Sequence, residues 1–258
     1  MVAVAVVDPG GQMAEDVTLS AGMRRLWGLA PQPAGRPGLT VERIVRAAIA
    51  IADAEGLEAV SMSRVASDLG FSTMALYRHV ESKEELVELM VDVAAGDPPE
   101  LPDDDWRAAL ERWTRAQREV MRRRPWIAQA PISGIPIGPH QVSWMEAALR
   151  ALRDTPLDGG EKLGILLLLT GQVRYESLLV SDLARARERA GQDAVEMERA
   201  YGRNLATILD RDRFPELAGL VVEGVFDVAD VDDEAAFALA LTIILDGIDL
   251  LMERRRRR

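Results

Sequence analysis

The chain has no cysteine. That excludes a disulfide framework and any thiolate metal site. It has only two histidines, His79 and His140, and aromatic residues make up 5% of it. No Gly-rich phosphate loop, HExxH pair or supported Ser-His-Asp pattern is present, so the common enzyme signatures are missing. No catalytic residue, cofactor or metal site is expected. Apolar runs such as Leu163–Leu169 are far shorter than the roughly 20 residues a membrane span needs. The opening MVAVAVVDPGG lacks a basic stretch and breaks at Asp8-Pro9, so it does not read as a signal peptide. A cytoplasmic protein with no membrane partner is the expectation.

What is present is helix. Apolar residues make up 48% of the 258, ample for a core. They recur at helical spacing, and no alternating strand pattern survives. The expected fold is all-α in three parts. Residues 1–39, rich in Pro and Gly, read as a flexible N-terminal arm with a short helix around Ala14–Leu26. Residues 40–95 read as four short helices. Thr40, Ser61 and Ser72 are N-caps, and Ser82-Lys83-Glu84-Glu85 a capping box. Residues 96–258 hold only longer helices. Two apolar ones, about 158–183 and 232–252, suit pairing across a two-fold axis.

The most informative stretch is SMSRVASDLGFSTMALYRHVESK, residues 61–83. Two amphipathic helices flank the turn Leu69-Gly70-Phe71, the outline of a helix-turn-helix. Met74, Leu76 and Val80 are the expected apolar contacts of the second helix. Ser72, Thr73, Ala75, Arg78 and His79 form its exposed face. Arg78 can pair bidentately with guanine, and Thr73 can meet a base edge or a phosphate. Ser61 and Ser63 can reach the DNA backbone. The alternative is an ordinary solvated surface helix. The net charge of −11 is no objection, because it is unevenly spread. Residues 20–83 hold eight basic and six acidic side chains. Phosphate attraction depends on that local balance.

Residues 40–90 closely resemble the DNA-binding domain of the TetR family of bacterial transcription repressors. The likeness lies in Ala54-Glu55-Gly56-Leu57, Val65-Ala66-x-x-Leu69-Gly70, Leu76-Tyr77-x-His79-Val80 and Lys83-x-x-Leu86, spaced without gaps. The remainder resembles the tetracycline-repressor-like ligand domains through Arg124-Pro125-Trp126, Gly138-Pro139-His140 and the helix around Tyr175-Glu176-Ser177. The resemblance implies a homodimer on a pseudopalindromic double-stranded DNA operator. It also implies a small-molecule effector that moves the two reading heads apart. It places Tyr77, His79 and Lys83 where phosphates are gripped. One departure is Met74-Ala75, where the family often has Pro or a polar residue. Some long-armed members use their extension on DNA, which would give Arg24, Arg25 and Arg36 a minor-groove role. The other reading of the arm is a solvated tail.

Polar residues on apolar helices mark the expected ligand site, because a buried polar group needs a partner. Trp113 and Gln117 share a face with Met121. Trp126, His140, Trp144 and Met145 cluster around a kinked stretch. Thr170, Arg174, Tyr175 and Glu176 interrupt the most apolar helix. Together they outline an aromatic-walled pocket. Each taken singly could equally be core or dimer packing. In tetracycline-binding relatives a His helps hold a magnesium complex, but His140 is alone here and no metal is expected. A helical ligand-binding or interaction protein that never touches DNA is the competing function.

Overall fold

The computed structural model describes residues 19–30, 38–132, 136–227 and 232–257. Among these residues every regular element is a helix. The head contains α1 (Ala21–Leu26), α2 (Val41–Glu55), α3 (Met62–Leu69), α4 (Thr73–Tyr77) and α5 (Lys83–Ala95). The body contains α6 (Trp106–Arg123), α7 (Trp126–Gln129), α8 (Pro139–Ala151), α9 (Gly159–Ala190), α10 (Ala194–Ile208), α11 (Pro215–Val222) and α12 (Asp233–Arg256).

Local chemistry sets the boundaries in the head. The hydroxyls of Thr40, Ser61, Ser72 and Ser82 each accept the backbone N–H three residues on, filling an orphan donor of the first turn. The turn between α3 and α4 needs Gly70, whose φ of 73° is left-handed. The N–H of Phe71 reaches back to the Ala66 carbonyl at 2.9 Å and closes the helix end. α2 buries Ile44, Val45, Ala48, Ile51 and Ala52 along one stripe. Leu76 from α4 and Leu86, Leu89 and Met90 from α5 complete that core. Burying a side chain of this size contributes about 1.5–3 kcal/mol.

Two expectations change here. Residues 19–29 are part of the head rather than of a flexible arm. Leu19 and Met23 lie in its core, and α1 packs on α2 and α5. The Gly22 N–H donates to Glu85 Oε1 at 2.8 Å. A Cβ at Gly22 would stand 2.6 Å from that oxygen, so only glycine permits the approach. Glu85 is therefore not the second half of a capping box. Its other oxygen accepts the N–H of Glu81, one residue before the cap. Arg36 and the start of the helix expected from Ala14 lie outside the described residues.

In the body, α9 packs on α6, α7, α8 and α12. Leu110, Leu169, Val173, Phe237, Leu241 and Leu245 form its centre. A buried cation ties three helices together. Arg118 of α6 donates to Glu176 of α9 at 2.6 Å and to Glu234 of α12, and lies 4.2 Å over the Phe237 ring. Within the Arg-rich end of α12, Arg255 pairs with Glu161 at the start of α9. Two of these helices differ from the expectation drawn from short apolar runs. α9 and α12 are long and apolar enough to cross a membrane by length and composition. Only 22% and 28% of their most apolar windows are buried, so an apolar face stays open. Leu163, Leu167, Leu179 and Leu183 of α9 and Leu239, Ile243 and Leu250 of α12 are exposed on it.

Candidate functional site

Most of the expected reading face is where the sequence places it. Ser63, Ser72, Tyr77, Arg78 and Lys83 are exposed, and Ser61, Thr73 and Ala75 are half-buried. The Ser61 and Ser72 hydroxyls cap their helices, and Ser61 also bonds Ser63 at 3.1 Å. Free hydrogen-bonding capacity on this face is therefore concentrated in Thr73, Tyr77, Arg78 and Lys83.

His79 and Met74 exchange the positions expected of them. α4 ends at Tyr77 after only five residues. Beyond it the chain turns inward and takes His79 with it, leaving that residue 4% exposed. Its Nδ1 is buried with no hydrogen-bond partner among the described residues, so the imidazole cannot grip a phosphate from here. Burial, with the nearby charges of Arg25 and Arg78, pushes the His79 pKa down and keeps the ring neutral. Met74, expected in the core, is 71% exposed at the tip of the face. The apolar contact comes from Phe71, which packs on the core and lies 5.7 Å from the Arg43 guanidinium.

α1 supports the reading face from behind. Arg25 donates to the His79 carbonyl at 2.8 Å, just past the end of α4. Arg24 is half-buried in the last turn of α1. Neither has the free reach of a minor-groove arm.

A cavity of about 220 Å³ lies where the head meets the body. α5 supplies Val91 and Ala95, and α6 supplies Trp113, Gln117 and Met121. Gln141, Trp144 and Met145 come from α8, and Thr170 and Arg174 from α9. The two indoles stand 6.2 Å apart and tilted by 60°. Both of their N–H groups are satisfied by backbone: Trp113 donates to the Trp144 carbonyl at 2.9 Å and Trp144 to the Gly96 carbonyl at 2.8 Å. The rings thus serve the cavity as apolar walls. Polar groups come from Gln117, Gln141, Thr170 and Arg174.

Four expected ligand residues are not part of it. Tyr175 is 64% exposed on the open face of α9. Glu176 is held by Arg118, a buried partner the sequence reading missed. His140 pairs with Asp97 at 2.9 Å on the outside of α8. Trp126 is 3% exposed and donates to Asp53 at 2.7 Å. Gln141 was missed in turn, because nothing marks it among the polar residues of an amphipathic helix. A larger cavity of about 500 Å³, lined by Trp27, Pro98, Pro102, Glu146 and Arg150, opens on the outer side of α8.

The joint between head and body is built from carboxylates. Asp53, near the end of α2, accepts both Arg124 Nε at 3.2 Å and the Trp126 indole N–H. Arg124 also donates to the Ala94 carbonyl of α5 at 3.2 Å. Asp92 of α5 is fully buried and accepts the Gln141 N–H at 2.9 Å, stabilising the N-terminus of α8. Burial pushes the Asp92 pKa up, and the bond to Gln141 opposes that. Gln141 thus lines the cavity and is tied to the head through its backbone.

Known proteins resemble both halves. Residues 44–90 match the family described as bacterial regulatory proteins, tetR family. Residues 98–252 match the tetracyclin repressor-like C-terminal domain. The HTH-type transcriptional repressor DrrR1 of Streptomyces coeruleorubidus is 38% identical over 236 residues, covering 90% of this chain and 86% of that protein. The class A tetracycline repressor from transposon 1721 of Escherichia coli is 26% identical over 213 residues, covering 80% and 88%. The crystal structure of ActR of Streptomyces coelicolor in complex with actinorhodin superposes with a TM-score of 0.69 at 30% identity, covering 82% of this chain and 95% of that one.

Proposed function

The chain belongs to the TetR family of bacterial transcription regulators, and on that premise we propose that two copies hold a pseudopalindromic operator and release it when a small molecule fills the cavity. It is a ligand-responsive DNA-binding repressor. Thr73 and Arg78 read bases. Tyr77, Lys83, Ser61 and Ser63 meet the backbone of the duplex. Its work is binding rather than catalysis, and it acts in the cytoplasm.

The observation that carries this reading is the double use of α5. One side of the helix, at Leu86, Leu89 and Met90, is core of the head. The other, at Val91 and Ala95, is wall of the cavity. A ligand that displaces α5 displaces the reading face. It shifts the equilibrium by its difference in affinity for the two arrangements. The open apolar faces of α9 and α12 are the dimer surface. Pairing them across a two-fold axis makes a four-helix interface, which explains their membrane-like composition.

Fluorescence anisotropy with DNA flanking the chain's own gene tests the reading. The expected result is salt-sensitive, sequence-specific binding of a dimer, since each phosphate contact adds to the salt dependence. Equal affinity for unrelated DNA would favour a helical ligand-binding protein that does not act on an operator.

A further inference from the structure

Among the described residues that line the cavity, Arg174 carries the only charge. Its guanidinium has five N–H donors. Among the described residues one hydrogen bond holds it, from Nη2 to the Ala130 carbonyl at 2.6 Å at the end of α7. No carboxylate among the described residues pairs with it. Glu176, the acid nearest in sequence, is turned to Arg118. Burial lowers the Arg174 pKa, with no acid to oppose it. A half-buried cation facing an apolar cavity with a neutral carbonyl as its partner is costly, and an anion in the cavity removes that cost. Trp113 and Trp144 offer flat walls beside it, and Gln117, Gln141 and Thr170 offer neutral hydrogen bonds.

We propose that the effector is a planar aromatic acid whose carboxylate or phenolate is received by Arg174. The Ala130 carbonyl fixes the guanidinium plane, so the remaining N–H groups present a fork to the ligand. The ligand's rings lie against the wall that the two touching indoles, 6.2 Å apart and tilted by 60°, form together. This inference rests on the cavity being the effector site proposed above.

Isothermal titration of the full chain at neutral pH tests it, with 2-naphthoate and its uncharged match 2-naphthamide as probes. Wild-type protein should bind the acid at least about tenfold more tightly, the low end expected for a buried charge-assisted bond. Arg174→Gln should bind the two equally, with the amide affinity unchanged. Arg174→Lys should restore a preference for the acid. Equal binding of acid and amide by the wild type overturns the role of Arg174 and leaves the cavity standing. So does an acid preference that survives Arg174→Gln. Failure of both probes to bind overturns the cavity as an aromatic effector site, and this inference with it.

Discussion

Replacing Glu85 with alanine should detach α1 from the head. Its carboxylate accepts two backbone N–H groups, Gly22 at 2.8 Å and Glu81, and the residue is 6% exposed. Hydrogen bonds to a charged group contribute about 1.5–3 kcal/mol each. If α1 stays in place, a buried donor at Gly22 and a part-buried one at Glu81 lose their acceptor. If α1 peels away, Gly22 regains water, but the burial of Met23 and Leu19 is lost. Burying one such side chain is worth about 1.5–3 kcal/mol. By either route the head should lose about 3–5 kcal/mol, a large part of the roughly 5–15 kcal/mol of a typical domain. Hydrogen exchange over residues 20–26 and urea unfolding followed by circular dichroism measure it. Glu85→Gln should fall between wild type and Glu85→Ala. A loss below about 1 kcal/mol with unchanged exchange at residues 20–26 would refute the account.

Arg78→Ala should weaken operator binding by about 1–3 kcal/mol and relax specificity at one base pair. An equal loss on random DNA would make Arg78 a phosphate contact. His79 should make the head acid-sensitive. Its folded pKa is lowered by burial, so the stability it contributes is whole above the unfolded value of about 6.5. That stability falls as pH drops below this value and levels off once pH passes the folded pKa. His79→Gln should flatten the fall, and an unchanged slope would contradict it. Leu167→Arg combined with Ile243→Arg should give a monomer by light scattering, and an intact dimer would move the interface elsewhere.

Capping chemistry made the head legible. Thr40, Ser61, Ser72 and Ser82 announce helix starts in one dimension, and the structure begins its helices there. The errors share a cause: the deciding partner is distant in sequence. His79 turns inward where α4 stops at Tyr77, and Arg25, which holds its carbonyl there, lies 54 residues away. Nothing local signals that stop. A helix ending at Leu26 is legible in the sequence, but its docking into the head is not, because its partner Glu85 lies 63 residues away. In the body, polar residues on apolar helices pointed to Gln117, Thr170 and Arg174, which line the cavity. The same rule failed at Glu176. It cannot separate a residue that waits for a ligand from one already paired with an arginine 58 residues back.

The Asp53 joint bears on heredity. Arg124 and Trp126 both donate to that one carboxylate, with Pro125 between them turning the chain. The tripeptide Arg-Pro-Trp in the body is therefore half of a motif whose other half is an acid near the end of α2, in the head. Changing Asp53 alone leaves two donors without their acceptor, and changing either donor alone weakens the grip on the head. The three positions should drift together through related chains. A lineage that keeps Arg-Pro-Trp should keep the acid, and one that loses the acid should have refitted the corner of the body that faces it.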